Sequence, residues 1–155
     1  MTKKQIIIIL ILAVTAIFLV VFCFWRAKSN NQHANSQTKQ VCYEARCFNV
    51  ELATTSEEQE RGLMERESLA ADAGMLFVYR SEGDYPFWMK NTKIPLDMIW
   101  IDKDFKVVSM VAAEPCVSDP CRIYDPQKQA KYVLELSAGT AQNINLKEGD
   151  EVVFK

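Results

Sequence analysis

The sequence predicts an α+β fold. Its expected form is a mostly antiparallel β-sheet or small partly closed barrel with two short helices, preceded by one transmembrane helix. Three observations predict it. An uncharged run fills positions 6–25. Beyond position 41, short apolar or alternating segments recur between turn residues. Only two stretches there carry helix-start signals, and the connections are too short for repeated β-α-β crossovers. A chain of 155 residues holds one compact domain plus an appendage, not two ordinary domains.

The amino-terminal part divides into a cytoplasmic stub at 1–5, an anchor at 6–25 and a flexible linker at 26–40. Ile6–Trp25 has 20 residues without a charge, and at helical rise this covers roughly 30 Å, the depth of a hydrocarbon core. Trp25 sits at its end, where an indole lies among headgroups. A cleaved secretory signal would have a shorter apolar region and a small-residue cleavage site. Here Arg26-Ala27-Lys28 follows instead, and Phe22 before Cys23 is too bulky for lipoprotein processing. The expectation is an uncleaved, single-pass anchor that places the membrane among the partners. Ala27–Gln40 has no large apolar side chain and reads as a tether, with His33 solvated in it.

Charge on the two flanks is nearly balanced, so the cysteines set the orientation. Cys42, Cys47, Cys116 and Cys121 form two closely spaced pairs, and an even count in a small extracytoplasmic domain reads as disulfides. Two local bridges are favoured among the three connectivities. The alternative is one zinc held by four thiolates, but both gaps are C-x4-C rather than the C-x2-C usual for zinc. The localisation expected is the cell membrane, with the amino terminus in the cytoplasm and the soluble domain, 41–155, periplasmic or extracellular.

Within that domain, Cys42–Leu52 alternates and suggests a strand or hairpin. Thr55 and Glu58 fit a capping box that opens a helix through Arg61, closed by Gly62. Gly74–Tyr79 is a short buried strand, Ser81–Asp84 a turn, and Phe87–Met89 another strand. Leu96–Ile101 is apolar at nearly every position, so both of its faces are expected to be buried. Asp102–Asp104 turns the chain into a strand over Phe105–Val111. Tyr132–Leu136 is the next strand, and Ser137 is expected to cap a short helix ending near Leu146. Lys147–Asp150 turns into a last strand, Glu151–Phe154.

Composition removes several functions. His33 is the one histidine, so the chain cannot build a Ser-His-Asp triad or a two-histidine metal site by itself. Its five glycines form neither of the common phosphate-cradling loops. The first 40 residues carry five bases and no acid, whereas residues 41–155 carry 13 bases and 20 acids, a net −7. A domain this acidic repels phosphate backbones, so nucleic acid is not expected as a partner.

Three blocks resemble the uncharacterised family called domain of unknown function 192. They are Arg61-Gly62-Leu63-Met64-Glu65-Arg66, Gly74-Met75-Leu76-Phe77-Val78-Tyr79, and Phe87 through Asp97, which reads FWMKNTKIPLD. Tyr132–Leu136, Ala138-Gly139-Thr140 and Gly149-Asp150 are similar as well, so the resemblance runs from about 48 to 155. It implies a small single-domain protein, often with a signal or anchor. It carries over no activity.

Function therefore rests on the residues. Trp88, Lys90, Asn91, Thr92 and Asp97 bring an aromatic face, a cation, an amide, a hydroxyl and a carboxylate within ten positions, the chemistry that holds sugars or other ring-bearing polar ligands. Arg61 and Arg66 add forks for an anion. The bland reading is that Phe87, Trp88 and Met89 are core, Asn91 and Thr92 close a turn, and Asp97 pairs with an arginine. A general acid–base pair could combine Asp97 with Glu135 or Asp150, with Lys90 as an alternative base, though spacing brings none of them together. Ser36 and Lys39 match S-x-x-K only within the linker. Met64, Met75 and Met89 suit a soft metal but read first as core. No cofactor and no metal is expected, and the catalytic residues are unknown. The expected function is binding of a small polar or glycan-like ligand, or of an envelope protein, through Trp88–Asp97. The alternatives are a cell-envelope enzyme acting on a glycan and a non-catalytic assembly factor for a membrane protein.

Overall fold

The computed structural model describes residues 39–155. The stub, the anchor Ile6–Trp25, Cys23, His33 and Ser36 lie outside the described residues. Among the described residues no helix is long and apolar enough to cross a membrane.

Nine strands and two short helices follow one another: β1 (Lys39–Tyr43), β2 (Arg46–Ala53), α1 (Ser56–Arg61), β3 (Ala73–Gly83), β4 (Phe87–Trp88), β5 (Leu96–Ile101), β6 (Val107–Ala113), β7 (Ile123–Tyr124), β8 (Ala130–Ser137), α2 (Thr140–Asn143) and β9 (Val153–Phe154). Seven strands form one sheet in the order β6-β5-β8-β3-β2-β1-β9, and β4 with β7 forms a separate ribbon. All pairings are antiparallel except β2 with β3, which run parallel because α1 and its following loop cross between them. The two sheet edges then meet. Lys106 bridges to Glu151, and the Val107 amide donates to the Asp150 carbonyl at 2.8 Å. The sheet is thus a partly closed barrel, and closure satisfies part of what would be two open edges.

Strand alternation sorts the apolar side chains into two layers. Inside lie Phe48, Val50, Leu76, Ile99, Ile101, Leu134 and Leu136, with Ala141 of α2 and Leu146 closing one end. Outside lie Met75, Phe77, Met98, Trp100 and Val133, covered by Leu63 and Met89 from loops and by Phe87 of β4 and Tyr124 of β7. Every residue of β5 is buried, as a strand apolar on both faces requires.

The capping box is present. The Glu58 amide donates to Thr55 Oγ1 at 3.2 Å, and the Glu58 carboxylate accepts from the Thr55 amide at 2.9 Å. The two disulfides are the local ones, Cys42–Cys47 across the first hairpin and Cys116–Cys121 in the loop before β7. All four of these thiols are therefore committed, and no four-thiolate site is left to form.

Four details differ from expectation. Lys39 and Gln40, placed in the tether by their composition, belong to β1 because Gln40 exchanges backbone hydrogen bonds with Lys155. Ser81–Gly83 continues β3 rather than turning, since after a bulge Gly83 pairs with Ala130. Phe105 is in the turn, at φ 63, and β6 begins only at Val107. Ser137 ends β8 and does not cap a helix. Gly139 occupies that position without a side-chain cap, and the amides of α2 are bonded from outside by Asp97.

Candidate functional site

β4, from the third block, pairs with β7 in a ribbon that brings Trp88 to solvent. Phe87 and Trp88 alternate in the usual way, so Phe87 packs edge-on against Phe77 at 4.8 Å and Trp88 points outward, 43% exposed. Its cross-strand partner Ile123 is 56% exposed. Lys90 Nζ sits 5.4 Å from the centre of the Trp88 ring and 3.9 Å from Asp119 Oδ1. The loop that carries Asp119 is tied by Cys116–Cys121, and its Val117 stands almost fully in solvent. The result is an indole face beside an ammonium, with apolar neighbours, on a disulfide-braced ribbon.

The other predicted residues sit in different surroundings. Asn91 is exposed in a left-handed conformation, φ 55, and its carbonyl accepts from the Glu65 amide at 2.8 Å, tying the first block to the third. Thr92 is buried and donates from Oγ1 to the Lys90 carbonyl at 3.4 Å. Asp97 is buried, and both its oxygens accept backbone amides, Gly139 at 3.1 Å and Ala141 at 2.8 Å. Arg61 ends α1 in solvent. Arg66 spends its fork on Glu51, with two bonds of 2.6 Å. It is therefore already matched by one carboxylate, and Glu51 is the main reason its guanidinium holds its proton more firmly than usual.

Glu135 is the feature that periodicity alone does not disclose. It lies in the middle of β8 on the outer face, directly across from Met75 of β3 and Met98 of β5. It is buried, its Oε2 has no hydrogen-bond partner, and burial raises its carboxyl pKa to about 8, with the Arg66 charge pulling the other way. A Cβ placed on Gly62 would stand 3.9 Å from that oxygen and 3.2 Å from Phe77 Cζ. Burial also raises the Tyr79 hydroxyl, with smaller contributions from Tyr85 and Glu135. The available signal was one acid within an otherwise apolar strand, Tyr132-Val133-Leu134-Glu135-Leu136.

Asp97 and Glu135 do not form a catalytic pair. Asp97 is opposite Leu136 in the register, so it faces the inner layer while Glu135 faces the outer one. Asp150 is also occupied, accepting from the Tyr43 hydroxyl and the Lys147 amide, each at 2.8 Å.

The first and third blocks are tied by the Glu65–Asn91 hydrogen bond, and residues 38–154 match the family DUF192, described as an uncharacterised group. The chain belongs to this family. The match starts ahead of the region marked by sequence resemblance and takes in Cys42 and Cys47. Among DUF192-like relatives, a UPF0127 protein of Thermococcus kodakarensis is 29% identical over 65% of this chain and 61% of its own length. A UPF0127 protein of Thermococcus gammatolerans is 31% identical over 65% of this chain and 63% of its own. The chain thus spans less than two thirds of each of these curated relatives. A solved structure from Sinorhizobium meliloti 1021, described as a candidate transcription regulator, superposes with TM-score 0.69 at 35% identity, covering 77% of this chain and 96% of that one. A protein of unknown function from Novosphingobium aromaticivorans gives 0.67 at 34%, covering 75% and 83%.

Proposed function

We propose that this DUF192 protein is a binding domain held at the outer face of the cell membrane, and that Trp88 is the platform on which a ring-bearing polar ligand such as an envelope glycan stacks. The observation that carries the reading is the exposed Trp88 ring with Lys90 Nζ 5.4 Å from its centre. A large indole left in solvent beside an ammonium offers an apolar plane and a hydrogen-bond donor together, as sugar rings require. The uncharged run Ile6–Trp25 and the two disulfides support the tether and the compartment. The net −7 of residues 41–155 speaks against extending a transcriptional role to this chain.

The test is calorimetric titration of the full-length chain in nanodiscs with soluble envelope oligosaccharides. Wild type binds, and Trp88→Ala weakens binding about tenfold or more, which corresponds to a stacking contribution of about 1.4 kcal/mol. Equal binding by Trp88→Ala overturns the platform. A second reading, docking of an envelope protein, is favoured by the exposure of Val117 and Ile123. It predicts that Ile123→Asp abolishes a cross-linked partner.

A further inference from the structure

The outer layer contains a side-chain set that ligand stacking does not use. Met75, Glu135 and Met98 are direct partners across three adjacent strands, β3, β8 and β5. Direct antiparallel partners project to one face with their Cβ atoms about 5 Å apart. Two methionine side chains therefore neighbour one carboxyl-bearing side chain on that face. All three residues are buried, at 7%, 4% and 0% exposure, and Met89 is in the same cluster. Glu135 Oε2 bonds to nothing. The nearby cation, Arg66, is bonded through both fork nitrogens to Glu51 and makes no hydrogen bond to Glu135. An ionised carboxylate alone in such a layer is costly to keep, and a bound monovalent cation would cancel its charge. Thioethers choose among cations, because they suit soft cuprous ions and are poor ligands for hard ones.

We propose that Glu135, Met75 and Met98 bind one cuprous ion, the carboxylate matching its charge and the thioethers supplying soft ligands. The ion lies between the sheet and the loop from Gly62 to Arg66. Gly62, at φ +48, adjoins the carboxylate: a Cβ there would stand 3.9 Å from Oε2 and 3.2 Å from Phe77 Cζ. The site is independent of whether Trp88 stacks on a ligand.

The test uses the full-length chain in detergent micelles, disulfides intact, with Cys23→Ser so that this thiol does not compete. Anaerobic titration with Cu(I), in competition with bicinchoninate and with ascorbate as reductant, gives one equivalent bound. Glu135→Gln and Met98→Leu each weaken binding at least about tenfold. Met110→Leu, on the inner layer, leaves it unchanged. Because Leu conserves volume, Met98→Leu stays folded, and silver ion provides a second, redox-inert readout. One equivalent of silver raises the melting temperature of wild type but not of Met98→Leu. No stoichiometric binding, or equal affinity and an equal melting shift in Met98→Leu, overturns the proposal.

Discussion

The two faces of the barrel sheet differ in what fills them and in what covers them. The inner layer is almost wholly aliphatic, with Val50, Ile99, Ile101, Leu134 and Leu136 near zero exposure. It is closed by the sheet itself and by α2. The outer layer mixes methionine, aromatic rings and one carboxyl group, and it is covered by loops and the small β4–β7 ribbon rather than closed by the main sheet. Branched aliphatics have few rotamers and define one packing. Methionine adapts, and a buried carboxyl adds a group whose charge depends on conditions. The contrast assigns stability to the inner face and leaves the outer face free to carry specialised chemistry.

The largest test of this contrast is pH. The folded pKa of Glu135 is raised from the ordinary carboxyl range to about 8, chiefly by burial. The folded state therefore holds its proton more tightly than the unfolded state. Stability is full below the unfolded pKa and falls as pH rises through the folded one. The expected slope is about 1.4 kcal/mol per pH unit between those limits, roughly 5 kcal/mol in all. Urea melts of wild type between pH 4.5 and 8.5 show this decline, and Glu135→Gln removes most of it. A flat wild-type profile would mean that Glu135 finds a partner in solution.

The inner face supplies the next largest effect. Leu134 is beside Glu135 in β8 but points the other way, 2% exposed. Leu134→Ala removes packed atoms and leaves a cavity, at a cost of about 2–5 kcal/mol that does not vary across the same pH range. If the loss instead followed pH as Glu135 does, the two layers would be coupled and the contrast would weaken.

Asp97 joins the inner layer to α2, and its effect is smaller. Asp97→Ala frees two amide donors, Gly139 and Ala141, and costs about 2–3 kcal/mol by equilibrium unfolding. Asp97→Asn keeps an acceptor and loses less. If Asp97→Ala instead left stability intact and abolished ligand binding, the carboxylate would belong to the site and not to the scaffold.

What was legible in the sequence follows the same division. Hairpin β1–β2, the buried strand β5 and the Thr55 capping box are set by local pattern, so position along the chain was enough to find them. The ribbon strand β7 was not legible, because two residues carry no period and its partner β4 lies 35 positions upstream. The start of α2 departs from the local pattern for a related reason. Ser137 looks like a cap locally, yet the acceptors come from Asp97, 42 residues before Gly139. Trp88 and Lys90 adjoin one another, as their nearness in sequence suggests, because both lie in one short segment. That Met98 and Glu135 are neighbours is not legible, since cross-strand register is invisible to a single sequence.

The smallest effect probes the cover of the outer face. The Glu58 carboxylate accepts backbone amides from Thr54 and Thr55, and these hold its pKa below the usual carboxylate value. That contribution is present above the unfolded pKa and disappears as pH falls through the folded one, the opposite sense to Glu135. Thr55→Ala removes the reciprocal half of the capping box and costs about 1 kcal/mol near neutral pH. The helix it opens is pinned to the sheet by Gln59, whose side-chain amide donates to the carbonyls of Ala53 and Val78 at 3.3 and 3.0 Å. Loosening α1 also loosens the Gly62–Arg66 loop that follows it. Hydrogen exchange is therefore the sharper measurement. Thr55→Ala speeds exchange of the Glu65 amide, which bonds to the Asn91 carbonyl, and leaves inner-layer amides of β5 and β8 protected. Uniform acceleration across both layers would show that cover and barrel open as one unit.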